Sequence, residues 1–245
     1  MTSDLDLLRV QYRTLFLTTE SGRIVRENDP DHSSGPRFWL GGCATGNLAG
    51  LRMDVPASIA DEIMALVATE PIFLERGSRP RHLARYLELL SQKGAAPRQS
   101  FLMNYQLPND LEFERRPVLI HSENEESRRL LDFFTTHGIP DDLQELGFRD
   151  VSEFWEPWCF ALHESRIASV AIAARLSETG AELGISTVRT LRGRGFAAAA
   201  AAGWSRLKSL RSRVLFYSTH RTNVSSQRVA ERLGLRYLGA SLRLS

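Results

Sequence analysis

The sequence predicts an α/β (α+β) fold with a mixed, mainly antiparallel central sheet flanked by helices. Three observations carry this reading. Three strand-like runs over 158–163, 166–173 and 181–188 are joined by tight turns, which predicts an antiparallel meander. The third run enters a glycine-rich, arginine-bearing turn and then the alanine run 197–202, a strong helix signal. Strand, helix and strand then follow over 214–218, 224–233 and 236–244.

Upstream, the segments 9–18 and 37–40 read as short strands, and 20–36 as a loop of turn formers and charges. In 56–69, Ile59, Ile63, Leu66 and Val67 recur at helical spacing behind Pro56. Leu83, Tyr86, Leu87 and Leu90 repeat the pattern over 79–92, Gly94 breaks it, and 100–107 reads as a strand. The polar, acidic stretch 108–116 suggests a boundary: a small α/β domain over 1–114 and a second domain over 115–245. In the latter, 118–121 is a predicted strand, 124–137 a helix stopped by Gly138, 141–146 a short helix and 196–210 the alanine-rich helix.

At 245 residues and 42% hydrophobic, the chain can bury a sizeable core. No run approaches the roughly 20 apolar residues of a membrane helix, and the acidic start does not resemble a signal peptide. Cys43 and Cys159 stand far apart without metal spacing, which suits a reducing, cytoplasmic setting, buried thiols and no metal. The net charge of +2 conceals an asymmetry: residues 189–245 hold 12 Arg or Lys against Glu231 alone, and the rest holds 19 against 28 acids. A polyanionic ligand at the C-terminal part is the expectation. Nucleic acid is disfavoured, because no aromatic–basic interleaving or recognisable module is present.

Residues 182–197 carry the most information. A helix start offers amides and a positive dipole end to an anion, and glycines let a ligand approach the backbone. Gly193, Gly195 and Ala198 also fit a loose dinucleotide fingerprint. That alternative lacks an acid at the end of the next strand and further strand–helix units.

The order of elements resembles the GNAT acetyltransferase superfamily. Arg192-Gly-Arg-Gly195-Phe-Ala197 matches its pyrophosphate motif, 182–188 its fourth strand, and Asn223-x-x-Ser226 with Leu233-Gly234-Leu235 its last helix and exit. The resemblance covers roughly 115–245 and looks like a bacterial branch with an added N-terminal domain. It implies an N-acetyltransferase transferring acetyl from acetyl-CoA to a primary amine of a small-molecule or amino-acid-like substrate, with direct attack in a ternary complex; the other class left open is a non-catalytic acyl-CoA-binding regulatory module. The cofactor residues it implies are Arg192, Gly193, Arg194, Gly195, Phe196 and Ala197 at the pyrophosphate, Thr187 and Val188 along the pantetheine, and Asn223 and Ser226 at its end. Val188 is the candidate donor to the thioester oxygen. Glu182 is the first candidate general base and His220 the second. The superfamily's tyrosine acid is absent, since its position is Ala230. Phe133, Phe134, Phe148, Phe154, Trp155 and Trp158 are candidates for the acceptor side. The N-terminal part could cover that opening, mediate a homodimer or buttress the sheet.

Overall fold

Ser3 and Asp6 close a capping box in which each side chain meets the other residue's backbone. Leu7, Leu8, Gln11, Tyr12 and Leu15 then follow on one buried face. These features make α1 (Asp4–Leu15) a helix, so the strand predicted over 9–18 survives only as β1 (Phe16–Thr18). The computed structural model describes residues 2–92, 95–114 and 117–245. The predicted break at Gly94 and the end of the predicted boundary at Arg115 and Arg116 lie outside the described residues.

The remaining elements are β2 (Ile24–Glu27), β3 (Phe38–Cys43), β4 (Gly46–Leu51), α2 (Ala57–Ala68), α3 (Leu83–Ser91), β5 (Gln99–Leu107), β6 (Leu119–His121), α4 (Glu125–His137), α5 (Asp141–Gln144), β7 (Trp158–His163), β8 (Arg166–Leu176), β9 (Gly180–Thr187), α6 (Phe196–Ser205), β10 (Val214–His220), α7 (Val224–Arg232) and β11 (Arg236–Leu244). β2 lies inside the predicted loop 20–36 and pairs with β1, and β4 has no counterpart in the sequence reading. The helix predicted over 196–210 stops at Ser205, where the chain turns before a separate 3-10 turn at Lys208–Leu210. Glu164 and Ser165, both at positive φ, form the tight turn between β7 and β8.

Among the described residues, nine strands form one sheet in the order β4-β3-β11-β5-β10-β9-β8-β7-β6. The sheet crosses the predicted boundary, because β5 lies between β10 and β11 and pairs antiparallel with both. Alternation along the strands sorts the core into two faces. Met103, Tyr105, Leu215 and Tyr217 pack with α6, while Phe216 and Trp39 pack beneath α1. Phe134, Leu143, Phe148, Phe154, Trp158 and Phe160 form a further cluster under α4 and α5. Four of the proposed acceptor aromatics are therefore core, while Phe133 is exposed and stacks on His137.

The alanines of α6 allow close approach to the sheet. A Cβ on Gly203 would stand 2.6 Å from Cys159 Sγ. Burial pushes the Cys159 thiol up to about 12, so both buried cysteines serve as small apolar residues.

A buried ion cluster ties the chain's beginning to its end. Glu27, 2% exposed, pairs with Arg175 of β8 at 3.1 Å and with Arg243 of β11. Removing one member of such a cluster leaves buried charge uncompensated. Glu27→Ala is expected to lower unfolding stability by about 3–5 kcal/mol in chemical denaturation; a loss below about 1 kcal/mol would contradict the cluster's role.

Candidate functional site

The only parallel pairing among the described sheet strands joins β9 and β10, and it is short. Gly180, Ala181 and Glu182 face Val214, Leu215 and Phe216, and no later residues pair although both strands run on. Each is held by its outer neighbour: β9 pairs with β8 as far as Thr187, and β10 with β5 as far as His220. A bulge explains where the split falls. The register between β8 and β9 steps from Ala173↔Leu183 to Arg175↔Glu182, leaving Ala174 unpaired opposite the last β9–β10 pair. A bulge bends and twists its ladder, and here it turns β9 away from β10. Gly184 makes room for it, since a Cβ there would lie 3.0 Å from the Ala174 Cβ and 3.1 Å from Ile172.

The split opens into a cleft of about 550 Å³. Ile185, Ser186 and Thr187 form one wall, Asn223, Ser225, Ser226, Arg228, Val229 and Arg232 the other, and the glycine turn with the start of α6 the floor. Leu146, from the opposite layer of helices, also lines it, so the cleft reaches through the sheet.

Gly193 and Gly195 adopt φ values of 76° and 88°, the left-handed region open to glycine at little cost. Gly195 is the N-cap of α6 and brings no side-chain cap, and the Ala199 amide is bonded to its carbonyl at 3.1 Å. The turn thus presents its amides to the cleft. Arg192, Arg228 and Arg232 surround them against the single acid Glu145 among the lining residues. This donor set suits a doubly charged phosphate linkage.

Of the predicted cofactor residues, Thr187, Arg192, Gly193, Gly195, Phe196, Ala197, Asn223 and Ser226 line the cleft. Arg194 instead reaches His163 Nε2 at 3.1 Å and lines a neighbouring cavity. Val188 is a correction: it is buried, and its amide donates to the Ala168 carbonyl at 3.0 Å, so it has no donor to offer a ligand. Strand alternation turns the peptide groups of Ile185 and Thr187 to the cleft instead; accordingly, the Thr187 carbonyl accepts from Arg192 Nε at 3.2 Å. Asn223 caps α7, accepting from the Ser226 amide at 3.1 Å, and still lines the cleft.

Neither predicted base lies in the cleft wall. His220 is exposed, and its Nδ1 is engaged by Thr222 Oγ1 at 2.7 Å. Glu182 is 5% exposed and points to the α1 face, where Gln11 Nε2 donates to its Oε2 at 3.4 Å and to Ser218 Oγ at 3.1 Å. Burial holds its carboxyl above the usual range, partly opposed by hydrogen bonds from Ser218 and Gln11. The cluster continues to Asn104, whose Oδ1 lies 3.2 Å from Ser218 Oγ and accepts from Ser241 Oγ at 3.2 Å. Ala230, the vacant tyrosine position, packs in one buried cluster with Tyr217 of β10, whose phenol burial also pushes upward.

Sequence reasoning missed Ile185, Ser186, Arg228 and Arg232. Ser225, Arg228, Val229 and Arg232 fall on one helical stripe, a spacing that could have found them. Among the described residues, no three His, Cys, Asp or Glu side chains converge as for a metal.

Residues 132–236 match the model of the acetyltransferase (GNAT) domain. No curated protein matches the sequence. Among solved structures, the chain is similar to a GNAT-family acetyltransferase from Colwellia psychrerythraea, with 15% identity, 100% and 96% of the two chains covered and a TM-score of 0.44. A GCN5-related N-acetyltransferase-like protein from Streptococcus suis gives 18%, 88% and 86%, and 0.43. A protein assigned to the GNAT acetyltransferases from Novosphingobium aromaticivorans gives 19%, 60% of this chain and a TM-score of 0.42; the match spans 64% of that protein's length. Likenesses at this level bear on neither substrate nor mechanism.

Gly184→Val adds volume against the bulge that sets the split. It is expected to lower stability by about 1–3 kcal/mol and to weaken coenzyme A binding in calorimetry. A folded variant that binds coenzyme A like the parent would contradict the bulge's role.

Proposed function

We propose that the protein is an acetyl-CoA-dependent N-acetyltransferase acting on a primary amine of a small molecule. The observation that carries this reading is the cleft at the β9–β10 split, floored by the glycine turn and walled by three arginines. The α6 amides and Arg192 would hold the pyrophosphate, while the peptide edge of Ile185 and Thr187 and the side chain of Asn223 would take the pantetheine arm as an added strand would. A peptide amide from that edge, rather than Val188, would stabilise the oxyanion as charge develops.

An ammonium has no lone pair, so the acceptor must lose a proton before it attacks. Glu182 is our proposed base, reached through intervening water because its carboxylate stands behind the cleft wall. Its raised carboxyl makes it a stronger base than an exposed glutamate. The amine nitrogen then bonds to the acetyl carbon, the carbon–sulfur bond breaks and the thiolate leaves, taking one of the two protons still on that nitrogen while the amide keeps the other. A thiol of pKa near 8.5 is a tolerable leaving group without a dedicated acid. The remoteness of Glu182 and His220 also favours a second reading, a non-catalytic acyl-CoA-binding module.

Gly195→Trp, filling the floor of the cleft, is expected to abolish acetyl-CoA binding in calorimetry. Thioester consumption with a panel of amines then separates the two readings, and a wild type that binds without turnover with any amine supports the module. Glu182→Gln is expected to lower kcat/KM by about 10²–10⁴. Because burial raises the Glu182 carboxyl, ionisation opposes folding above the folded-state value, and that penalty disappears below the usual carboxylate range. Glu182→Gln should therefore melt no lower than wild type at neutral and alkaline pH, with the difference closing in acid. A variant with full activity would remove Glu182 from the reaction.

A further inference from the structure

Two arginines from distant parts of the chain share one aromatic ring. Phe101 of β5, 7% exposed, has the Arg221 Cζ 4.0 Å and the Arg79 Cζ 5.9 Å from its ring centroid. Arg221 directly follows β10 and is partly buried, and Arg79 lies exposed in the segment between α2 and α3. A third guanidinium, that of Arg76, stands 4.7 Å from the Tyr237 ring centroid and 5.7 Å from that of Tyr105. Strand alternation puts Phe101 and Tyr105 on the same face of β5. Among the described residues, no carboxylate pairs with any of the three arginines. None of them lines the cleft or the cavity beside the glycine turn.

We infer that Arg79 and Arg221 form a site for a dianionic phosphate group, carried by inorganic phosphate or by a small phosphate monoester. Charge selects this ligand. Two fixed positive charges gathered on one ring repel each other, and a single carboxylate offsets only one of them. A phosphate monoester carries about −1.5 to −2 at pH 7. A guanidinium stacked on a ring keeps its in-plane N–H groups free for paired bonds to phosphate oxygens. The missing counter-ion matters most at Arg221, where partial burial withdraws water from the charge.

The segment that carries Arg79 is fixed without any ligand. Asn47 Nδ2 donates to the carbonyls of Glu70 at 3.1 Å and Pro71 at 2.9 Å, and its Oδ1 accepts from the Phe73 amide at 2.9 Å. A Cβ on Gly42 would collide with the Phe73 carbonyl, so the segment lies directly on β3. Tyr237 Oη donates to the Leu74 carbonyl at 2.7 Å. The Glu70 carboxylate accepts from the Arg81 and His82 amides and from Tyr86 Oη. On the other wall, the Arg221 amide donates to the Phe101 carbonyl at 3.0 Å, and its own carbonyl accepts from Gln227 Nε2 at 2.7 Å. Donors held in place beforehand lose little freedom on binding.

The test follows inorganic phosphate and glycerol 3-phosphate by calorimetry, with acetate as a singly charged control. Gly195→Trp is the background, because its filled cleft floor removes the glycine turn as a second anion site. Each phosphate compound should bind this protein with one equivalent, and acetate more weakly than either. Adding Arg79→Gln should weaken both by about ten-fold to 150-fold, and Arg221→Lys, which keeps the charge and loses the fork, should weaken them less. Tighter binding of the ester identifies a phosphorylated metabolite as the source, tighter binding of phosphate the free ion, and either supports the site. If Gly195→Trp does not fold, wild type is compared with Arg79→Gln/Arg221→Gln, which should bind one phosphate equivalent fewer. Absence of binding, or binding unchanged by Arg79→Gln and Arg221→Gln together, overturns the inference and leaves the acetyltransferase reading standing. Arg79→Gln alone should bind acetyl-CoA like wild type; a loss there would assign Arg79 to the cofactor and also overturn the separate site.

Discussion

The parallel ladder between β9 and β10 ends after three residue pairs, and the functional region depends on that ending. A strand that leaves its neighbour exposes peptide groups that must find other partners. The separation is tolerated because each strand keeps a complete ladder on its outer side, with β8 and β5. The exposed inner edge of β9 is then a ready surface for an extended ligand. Ala174 and Gly184 fix the place: one is the extra residue that bends the ladder, the other the missing side chain that accommodates it.

The position of β5 gives the first 114 residues a structural part in this arrangement. By pairing with β10 on one side and β11 on the other, β5 supplies the outer support that lets β10 stand apart from β9. Helix α1 closes the opposite face over Glu182, and Glu27 joins β2 to β8 and β11 through two arginines. Buried charge and buried amides are costly unless they are paired. The contacts of Glu27, Gln11 and Asn104 therefore tie the N-terminal part to the sheet in one arrangement; burial raises the proton affinity of Glu182, and its hydrogen bond from Gln11, 171 positions away in sequence, opposes the rise.

Electrostatics divides the molecule in a similar way. The basic C-terminal part concentrates charge on the glycine turn and on the outer stripe of α7, next to helix amides that add their own positive potential. The carboxyl with the altered proton affinity lies on the other side of the split. On the proposed function, such a division would hold an anion at one end and leave the proton chemistry to the buried carboxyl at the other.

The sequence by itself determined what local chemistry controls. The Gly193–Gly195 turn and its uncapped helix, the meander of β7 to β9, the α7 cap at Asn223 and the last strand were all legible, because periodicity and turn residues act over a few positions. Local signals misread residues 9–15, where the Ser3 and Asp6 capping box was overlooked, and residues 24–27, whose strand exists because β1 lies beside it. The insertion of β5, the bulge at Ala174, the sheetward turn of the Val188 amide and the burial of Glu182 under α1 were decided by tertiary structure. Each depends on which distant segment occupies the neighbouring position, and ladder partners and burial are properties of that neighbour as much as of the residue itself.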